Sequence, residues 1–267
     1  MSTPGPAFIT GGSSGIGLEL ARDLAAKGHS VALFARDAGR LQDAIRVLKS
    51  DLPDAHFAAY PCDVSDNAMV EAATNAAMAD LGTPEWGIAN AGVVEPGEFL
   101  TQDLQDHEAA MRINYMGALY FAKACAQPMA DNGGGKLVFV SSGAAFFGIF
   151  GYGAYAPSKF AMRALAEVLR VELAPKNISV TLAYPPDTDT PMLAYEESKK
   201  PAATKAITEG GGRWSAEDVA KLITRRAAKG KFAVAPGFQM RLLLAMHSVL
   251  APALRLWQGM LVRKHQK

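Results

Sequence analysis

Tyr155 and Lys159, in the stretch GYGAYAPSKF, stand four positions apart, which on an α-helix puts them on one face. A phenol beside an ammonium is a proton-transfer pair. The cation favours the phenolate and so lowers a hydroxyl pKa that is ordinarily about 10. Set at a carbonyl oxygen, such an acid delivers its proton as charge develops during reduction. Tyr152 lacks the matching cation, because Ala156 occupies that place. Taken singly, a helix tyrosine is more often a half-buried core residue and a helix lysine a solvated stem. The pair gains weight only from what else converges on it.

A second chemical feature lies near the start of the chain. TGGSSGIG follows the apolar run AFIT directly and opens a helical pattern. Its three spaced glycines, Gly11, Gly15 and Gly17, permit a tight turn and close backbone approach, so that main-chain N–H groups and a helix N-terminus can hold a pyrophosphate. The end of the next apolar run, LFARDAGRL, bears on the ribose. Arg36, with Arg40 one turn further on, is shaped for a 2′-phosphate and favours NADP(H). Asp37 is the competing group: it would suit an NAD ribose, or equally a helix cap.

These residues need a scaffold. Seven short β-rich runs (AFIT, VALFA, HFAAY, WGIAN, KLVFV, SVTLAY and KFAVA) alternate with helical patterns near 15–27, 38–51, 66–81, 105–130, 157–174 and 216–229. Pro53 and Gly82 act as stops, and Asp37 and Ser65 as caps. Several runs are apolar throughout, which suits strands covered on both faces. The alternation predicts an α/β fold: a single-domain, Rossmann-like, doubly wound parallel sheet with helices on both faces. Ligands of such sheets bind beyond the strand C-termini, where strand order reverses. The segment 185–214, rich in Pro, Thr, Lys and Gly, reads as an irregular substrate lid. The expected division is a nucleotide-binding domain over 1–237 with a helical extension over 238–267.

Bulk properties narrow the classes. The 267 residues suffice for one core, and a formal net charge of +1 offers no field for nucleic acid. Cys62 and Cys125 have neither metal nor disulfide spacing, and no His-x-x-x-His pair occurs. They read as buried fillers in a reducing compartment, with no metal site. The N-terminus MSTPGPAFIT has no secretory pattern, and no run is long and apolar enough to span a bilayer. A cytoplasmic protein is the expectation.

In order and spacing, TGGSSGIG, CDVS, NAG, Asn114, the SS pair and YAPSK resemble the short-chain dehydrogenase/reductase family over about residues 5–235. The resemblance implies Tyr155 as proton donor and Lys159 on the nicotinamide ribose. It also implies Ser142, thirteen positions before the tyrosine, holding the carbonyl oxygen, and Asn114 supporting a proton-relay water. It places Gly11, Ser13, Ser14, Gly15, Ile16 and Gly17 on the cofactor, with Arg36 and Arg40 beside them. Asp63 and Val64 would lie by the adenine, Asn90, Ala91 and Gly92 on the floor, and Pro185, Thr188 and Thr190 by the nicotinamide or phosphates. One departure stands out: Pro185-Pro186 replaces the family's Pro-Gly after the sixth strand, restricting a backbone that glycine would free. A homo-oligomer is a further implication.

Within the family, LAYPPDTDTPM is similar to the branch that reduces a long-chain sphingoid ketone with NADPH, which implies 3-ketodihydrosphingosine, an amino-ketone lipid, as substrate. Asp187 or Asp189 would pair with its amine; a metal at these carboxylates is the less favoured reading. Another hydrophobic ketone, steroid or acyl chain, is the alternative substrate, and a non-catalytic nucleotide-binding membrane scaffold the alternative class. The C-terminal stretch supports a lipid. Arg241, Ser248 and Arg255 recur every seven residues amid Leu, Met, Val and Trp257. A narrow polar stripe on a wide apolar surface suits a helix lying peripherally on a membrane, and Arg263, Lys264 and Lys267 favour anionic lipid. Pro252 is expected to kink or divide that helix. The other reading is a helix packed on its own domain or on a second subunit.

Overall fold

Ala7, Phe8 and Ile9 of the first strand are all fully buried, yet they feed two different cores: Phe8 packs with Phe34 and Phe121, while Ala7 and Ile9 pack with Leu20, Leu24 and Leu33. Successive side chains of a strand point to opposite faces, so a strand apolar at every position needs cover on both. The computed structural model describes residues 4–265 and supplies that cover; Lys267 and the first three residues lie outside the described residues.

The chain alternates β1 (Ala7–Thr10), α1 (Gly15–Ala25), β2 (Val31–Ala35), α2 (Ala38–Asp51), β3 (Phe57–Pro61), α3 (Asn67–Leu81) and β4 (Trp86–Ala89). There follow α4 (Leu104–Ala110), α5 (Gly117–Asp131), β5 (Gly135–Val140), α6 (Tyr155–Glu172) and β6 (Ile178–Ala183). Seven strands pair in parallel in the order β3-β2-β1-β4-β5-β6, closed by β9 (Ala233–Val234). Order reverses between β1 and β4, which fixes where a ligand cleft opens.

Local chemistry sets the helix ends. Asp37 accepts from the Arg40 N–H at 3.0 Å and caps α2. The cap of α3 is Asp66, which accepts from the N–H groups of Ala68 and Met69. Ser65, the cap expected from the sequence, instead donates its hydroxyl to Asp63. Between α4 and α5 the helix widens into one π-helical turn, Met111–Met116, a feature that concentrates at functional sites.

One expectation fails in the last third. The segment read as irregular contains β7 (Asp187–Asp189), α7 (Pro191–Lys199), α8 (Ala202–Thr208) and β8 (Arg213–Ser215), with β7 and β8 paired in parallel. Thr190 caps α7 by accepting from the Leu193 N–H, and Pro191 takes the first helical position, where its missing N–H costs nothing. After α9 (Ala216–Ala227) comes α10 (Gly237–His265), which Pro252 does not divide. Leu250 and Leu254, on either side of that proline, line one cavity wall, and their packing outweighs the lost backbone hydrogen bond.

Candidate active site

A cavity of about 560 Å³ opens at the C-terminal ends of β1, β4 and β5 and runs from the glycine turn to the underside of α10. Gly11, Ser13, Ser14, Gly15 and Ile16 line its entrance. Gly15 has φ +55°, and a Cβ there would lie 2.9 Å from Thr190 Cγ2. Gly17 lies behind the surface, where a Cβ would overlap the Gly11 carbonyl oxygen. Bare backbone at this turn leaves N–H groups and the start of α1 facing the cleft, the cradle a pyrophosphate requires.

The adenosine end is set by β2 and β3. Arg36, Asp37, Arg40, Asp63 and Val64 all line the cavity. Asp37 is occupied as the α2 cap, so the two guanidiniums, which have no hydrogen-bond or ion-pair partner among the described residues, are the groups left at the strand end. Burial would raise the Asp63 carboxyl, but hydrogen bonds from Ser65 and the charges of Arg36 and Arg112 hold it below the usual range. Neighbouring Cys62 is buried, and its thiol is pushed up to about 11 by desolvation and by the charges of Asp63 and Asp66.

The floor is built by cross-bracing. Thr10 Oγ1 accepts from the N–H groups of Asn90 and Ala91, and the Asn90 amide donates to the carbonyls of Thr10 and Gly11. The end of β4 therefore holds the glycine turn in place. Asn114 does not line the cavity. It is fully buried behind it, accepting from Val93 N–H at 2.7 Å and donating to Val93 O and Ser158 Oγ. Gly92 separates it from Lys159: a Cβ there would be 3.1 Å from Asn114 Oδ1 and 3.5 Å from Lys159 Nζ.

Ser142, Tyr155 and Lys159 meet at the middle of the cavity. Lys159 Nζ donates to Val140 O at 3.1 Å and stands 5.5 Å from the Tyr155 ring centroid. Burial lowers its pKa from 10.5 to about 8. The expected tuning of Tyr155 by this ammonium is not what the structure shows. The phenol is pushed up, first by desolvation, then by the charge of Glu196, with Asp187 adding and Ser142 opposing. Burial first, and the Glu196 charge after it, keep the proton on Tyr155, the form a reduction needs.

Those carboxylates belong to a cluster of which the sequence reading singled out Asp187 but missed Glu196 and Lys200. The Tyr152 hydroxyl donates to Glu196, Glu196 pairs with Lys200 at 2.9 Å, and Lys200 pairs with Asp187 at 3.1 Å. Tyr152, Asp187 and Glu196 face the cavity, as do Pro185, Thr188 and Thr190. Despite Pro186, the Pro185 carbonyl accepts from Gly143 N–H at 3.1 Å, tying this strand end to the turn after Ser142. Asp189 departs from expectation: it pairs with Arg213 at the surface, its side chain 54% exposed. The sequence signal for the Glu196 and Lys200 part of the cluster is their spacing, which ordinarily marks a solvent-facing pair.

A cleft that receives a dinucleotide at one end and presents a protonated phenol at its middle couples hydride transfer to proton transfer, the work of a nicotinamide-dependent oxidoreductase. Residues 6–201 match the short chain dehydrogenase family, and the chain belongs to it. It is 38% identical over 255 residues to the 3-dehydrosphinganine reductase of Danio rerio, covering 94% of this chain and 77% of that one. Levodione reductase shares the fold with a TM-score of 0.80 at 23% identity, over 88% of this chain and 96% of its own. An alcohol dehydrogenase from the archaeon Thermococcus sibiricus, complexed with 5-hydroxy-NADP, gives a TM-score of 0.73 at 25% identity, over 86% and 93%.

Proposed function

We propose that this chain uses NADPH to reduce the ketone of 3-ketodihydrosphingosine to dihydrosphingosine, a step of sphingolipid biosynthesis. The observation that carries the reading is the continuity of one cavity. The wall that holds Ser142 and Tyr155 runs into an apolar wall formed by Leu243, Leu250, Leu254 and Trp257 of α10. A reacting ketone and a long alkyl chain need that juxtaposition. The relatives' names supply the head group.

NADPH is the favoured dinucleotide because Arg36 and Arg40 are uncommitted while Asp37 caps α2. When bound, its nicotinamide supplies hydride to the carbonyl carbon. The Ser142 hydroxyl donates a hydrogen bond to the carbonyl oxygen and fixes its direction, and Tyr155 gives that oxygen its proton. Lys159, already anchored on Val140 O, holds the nicotinamide ribose. Asn114 keeps the Asn90–Val93 segment against α6, and the space at Gly92 between Asn114 and Lys159 is where a relay water would sit. The test is loss of nicotinamide absorbance with NADPH and a panel of ketones, including steroid and acyl ketones. Turnover of the sphingoid ketone that Tyr155→Phe abolishes supports the reading; full activity in that variant would end it, and preference for another ketone would replace the substrate.

The working division is a reductase domain over 1–237, with 185–214 as substrate lid, and the helical extension over 238–267. That extension also serves as a peripheral membrane contact. Among the described residues no helix is long and apolar enough to cross a bilayer. Yet Phe238, Leu242, Met246, Val249, Leu256 and Met260 are exposed at helical spacing along α10. Arg241, Arg255, Arg263 and Lys264 accompany them, and the helix carries no Asp or Glu, a combination suited to anionic lipid. Flotation with phosphatidylserine vesicles, with and without residues beyond Pro236, checks this; equal flotation removes it. A second copy of the chain is assigned to α6, where Phe160, Val168 and Val171 form an exposed apolar stripe; light scattering of Val171→Glu reports on it.

A further inference from the structure

The reduction described above gives Glu196 no task, yet it is one of the most unusual groups in the cavity. Its side chain is 11% exposed and that of Lys200 1% exposed. Lys200 Nζ is held by Glu196, by Asp187 and by Thr208 Oγ1. Two carboxylates around one ammonium leave the cluster with a net charge of −1. The arrangement is directional: both carboxylates line the cavity, while Lys200 does not. The uncompensated negative charge therefore faces the space beside Tyr155. Tyr152 ties it there, its ring centroid 5.5 Å from that of Tyr155 and its hydroxyl bonded to Glu196. Asp189, the other acidic residue of the same strand, is already neutralised by Arg213 at the surface.

We infer that Glu196, with Asp187 beside it, receives the ammonium group that the substrate carries on the carbon next to its ketone. The inference rests on the amino-ketone reading given above. In such a molecule the nitrogen and the carbonyl oxygen sit on adjacent carbons, so a receptor for one must stand beside the acid that serves the other. Glu196 and Tyr155 meet that demand through Tyr152. No bond is made or broken at the cluster; the proton that reaches the carbonyl oxygen comes from Tyr155.

Binding at this place has a consequence for the chemistry. The two carboxylates oppose ionisation of Tyr155. An arriving ammonium brings the local charge to zero and removes that opposition, which makes Tyr155 a better acid only when the amine is present. A ketone without the amine leaves the carboxylates uncompensated and meets a weaker proton donor. Selectivity is thereby written into both binding and proton delivery.

The experiment compares 3-ketodihydrosphingosine with the same ketone bearing hydrogen in place of the amine, in the wild-type protein and in Glu196→Gln. Wild type is expected to prefer the amino-ketone in kcat/KM. In the variant that preference falls by about 10- to 100-fold, the loss of one hydrogen bond between charged partners. Calorimetry without NADPH provides a readout independent of turnover: dihydrosphingosine binds wild type more tightly than its counterpart lacking the amine, and Glu196→Gln narrows the gap. Asp187→Asn repeats the comparison should Glu196→Gln fold poorly, and the wild-type binding comparison needs no variant. Equal binding of the two alcohols by wild type overturns the inference, as does an equal loss on both ketones in the variants. Failure of wild type to reduce either ketone would instead overturn the substrate reading on which it rests.

Discussion

Replacing Lys159 by Met should make the chain more stable while abolishing reduction, and the gain should depend on pH in a way that identifies its cause. Lys159 is buried, and its pKa falls from 10.5 to about 8 for that reason alone. A lysine whose pKa drops on folding costs stability below the lowered value. As pH rises from about 8 towards 10.5 that cost fades, because the folded chain has released a proton the unfolded chain still holds. At about 1.4 kcal/mol for each pKa step, the cost near pH 7 is about 3 kcal/mol. Methionine removes it, but leaves the Val140 carbonyl without its 3.1 Å donor, a loss of about 1–3 kcal/mol. The net gain near neutral pH is therefore small. The carbonyl penalty does not titrate, so it cancels when pH values are compared. Urea unfolding of both proteins at about pH 7 and about pH 10 should show the advantage of Lys159→Met shrinking by about 2.5 kcal/mol. A stability difference that stays constant over that range would refute the reasoning: it would mean that Lys159 keeps its ordinary affinity for protons in the folded chain.

Gly17→Ala should abolish NADPH binding, followed by fluorescence, since its Cβ would overlap the Gly11 carbonyl oxygen and force open the turn; retained affinity would show that the turn can relax. Arg36→Ala should lower kcat/KM for NADPH relative to NADH by about 10- to 100-fold, as expected for loss of a charge-assisted contact, and an unchanged ratio would leave the 2′-phosphate assignment to Arg40. Asn114→Ala should cost about 1–3 kcal/mol in denaturant unfolding because it leaves the half-buried Val93 N–H and C=O without their partner.

The parts legible in the sequence are those whose cause is local. Apolar runs flanked by turn residues locate the strands, and the caps and stops at Asp37 and Gly82 bound α2 and α3. Capping at Asp66 rather than Ser65 escaped because both residues suit the role, and only the side chain's orientation decides. The segment 185–214 escaped for a different reason: α7 and α8 span 9 and 7 residues, too short for periodicity to stand out, and they form through the Thr190 cap and docking on the domain. At the site, spacing correctly predicts that Tyr155 and Lys159 share a helix face. It is silent on where the lysine head goes, because the carbonyl that captures it comes from β5, nineteen residues earlier in the chain. The carboxylates that add to the effect of burial on Tyr155 come from α7 and β7, far along the chain in the other direction.

With the roles proposed above, this distribution separates chemistry from selectivity along the chain. Ser142, Tyr155, Lys159 and the glycine turn all fall within residues 6–201, the span that matches the family. The Asp187 and Glu196 carboxylates lie at its very end, and α8 and α10, which complete the cavity wall with Ile207, Leu250, Leu254 and Trp257, lie beyond it. Membership in the family therefore accounts for hydride and proton transfer and says little about which ketone is held. The similarity that bears on the ketone is the one that continues past residue 201, and the match to the Danio rerio reductase does so, covering 94% of the chain. If the substrate reading is right, exchanging residues 187–265 for those of a family member with another substrate should move ketone preference while leaving the Tyr155 dependence of turnover in place, because the acid and its selectivity device reside on different stretches of one cavity.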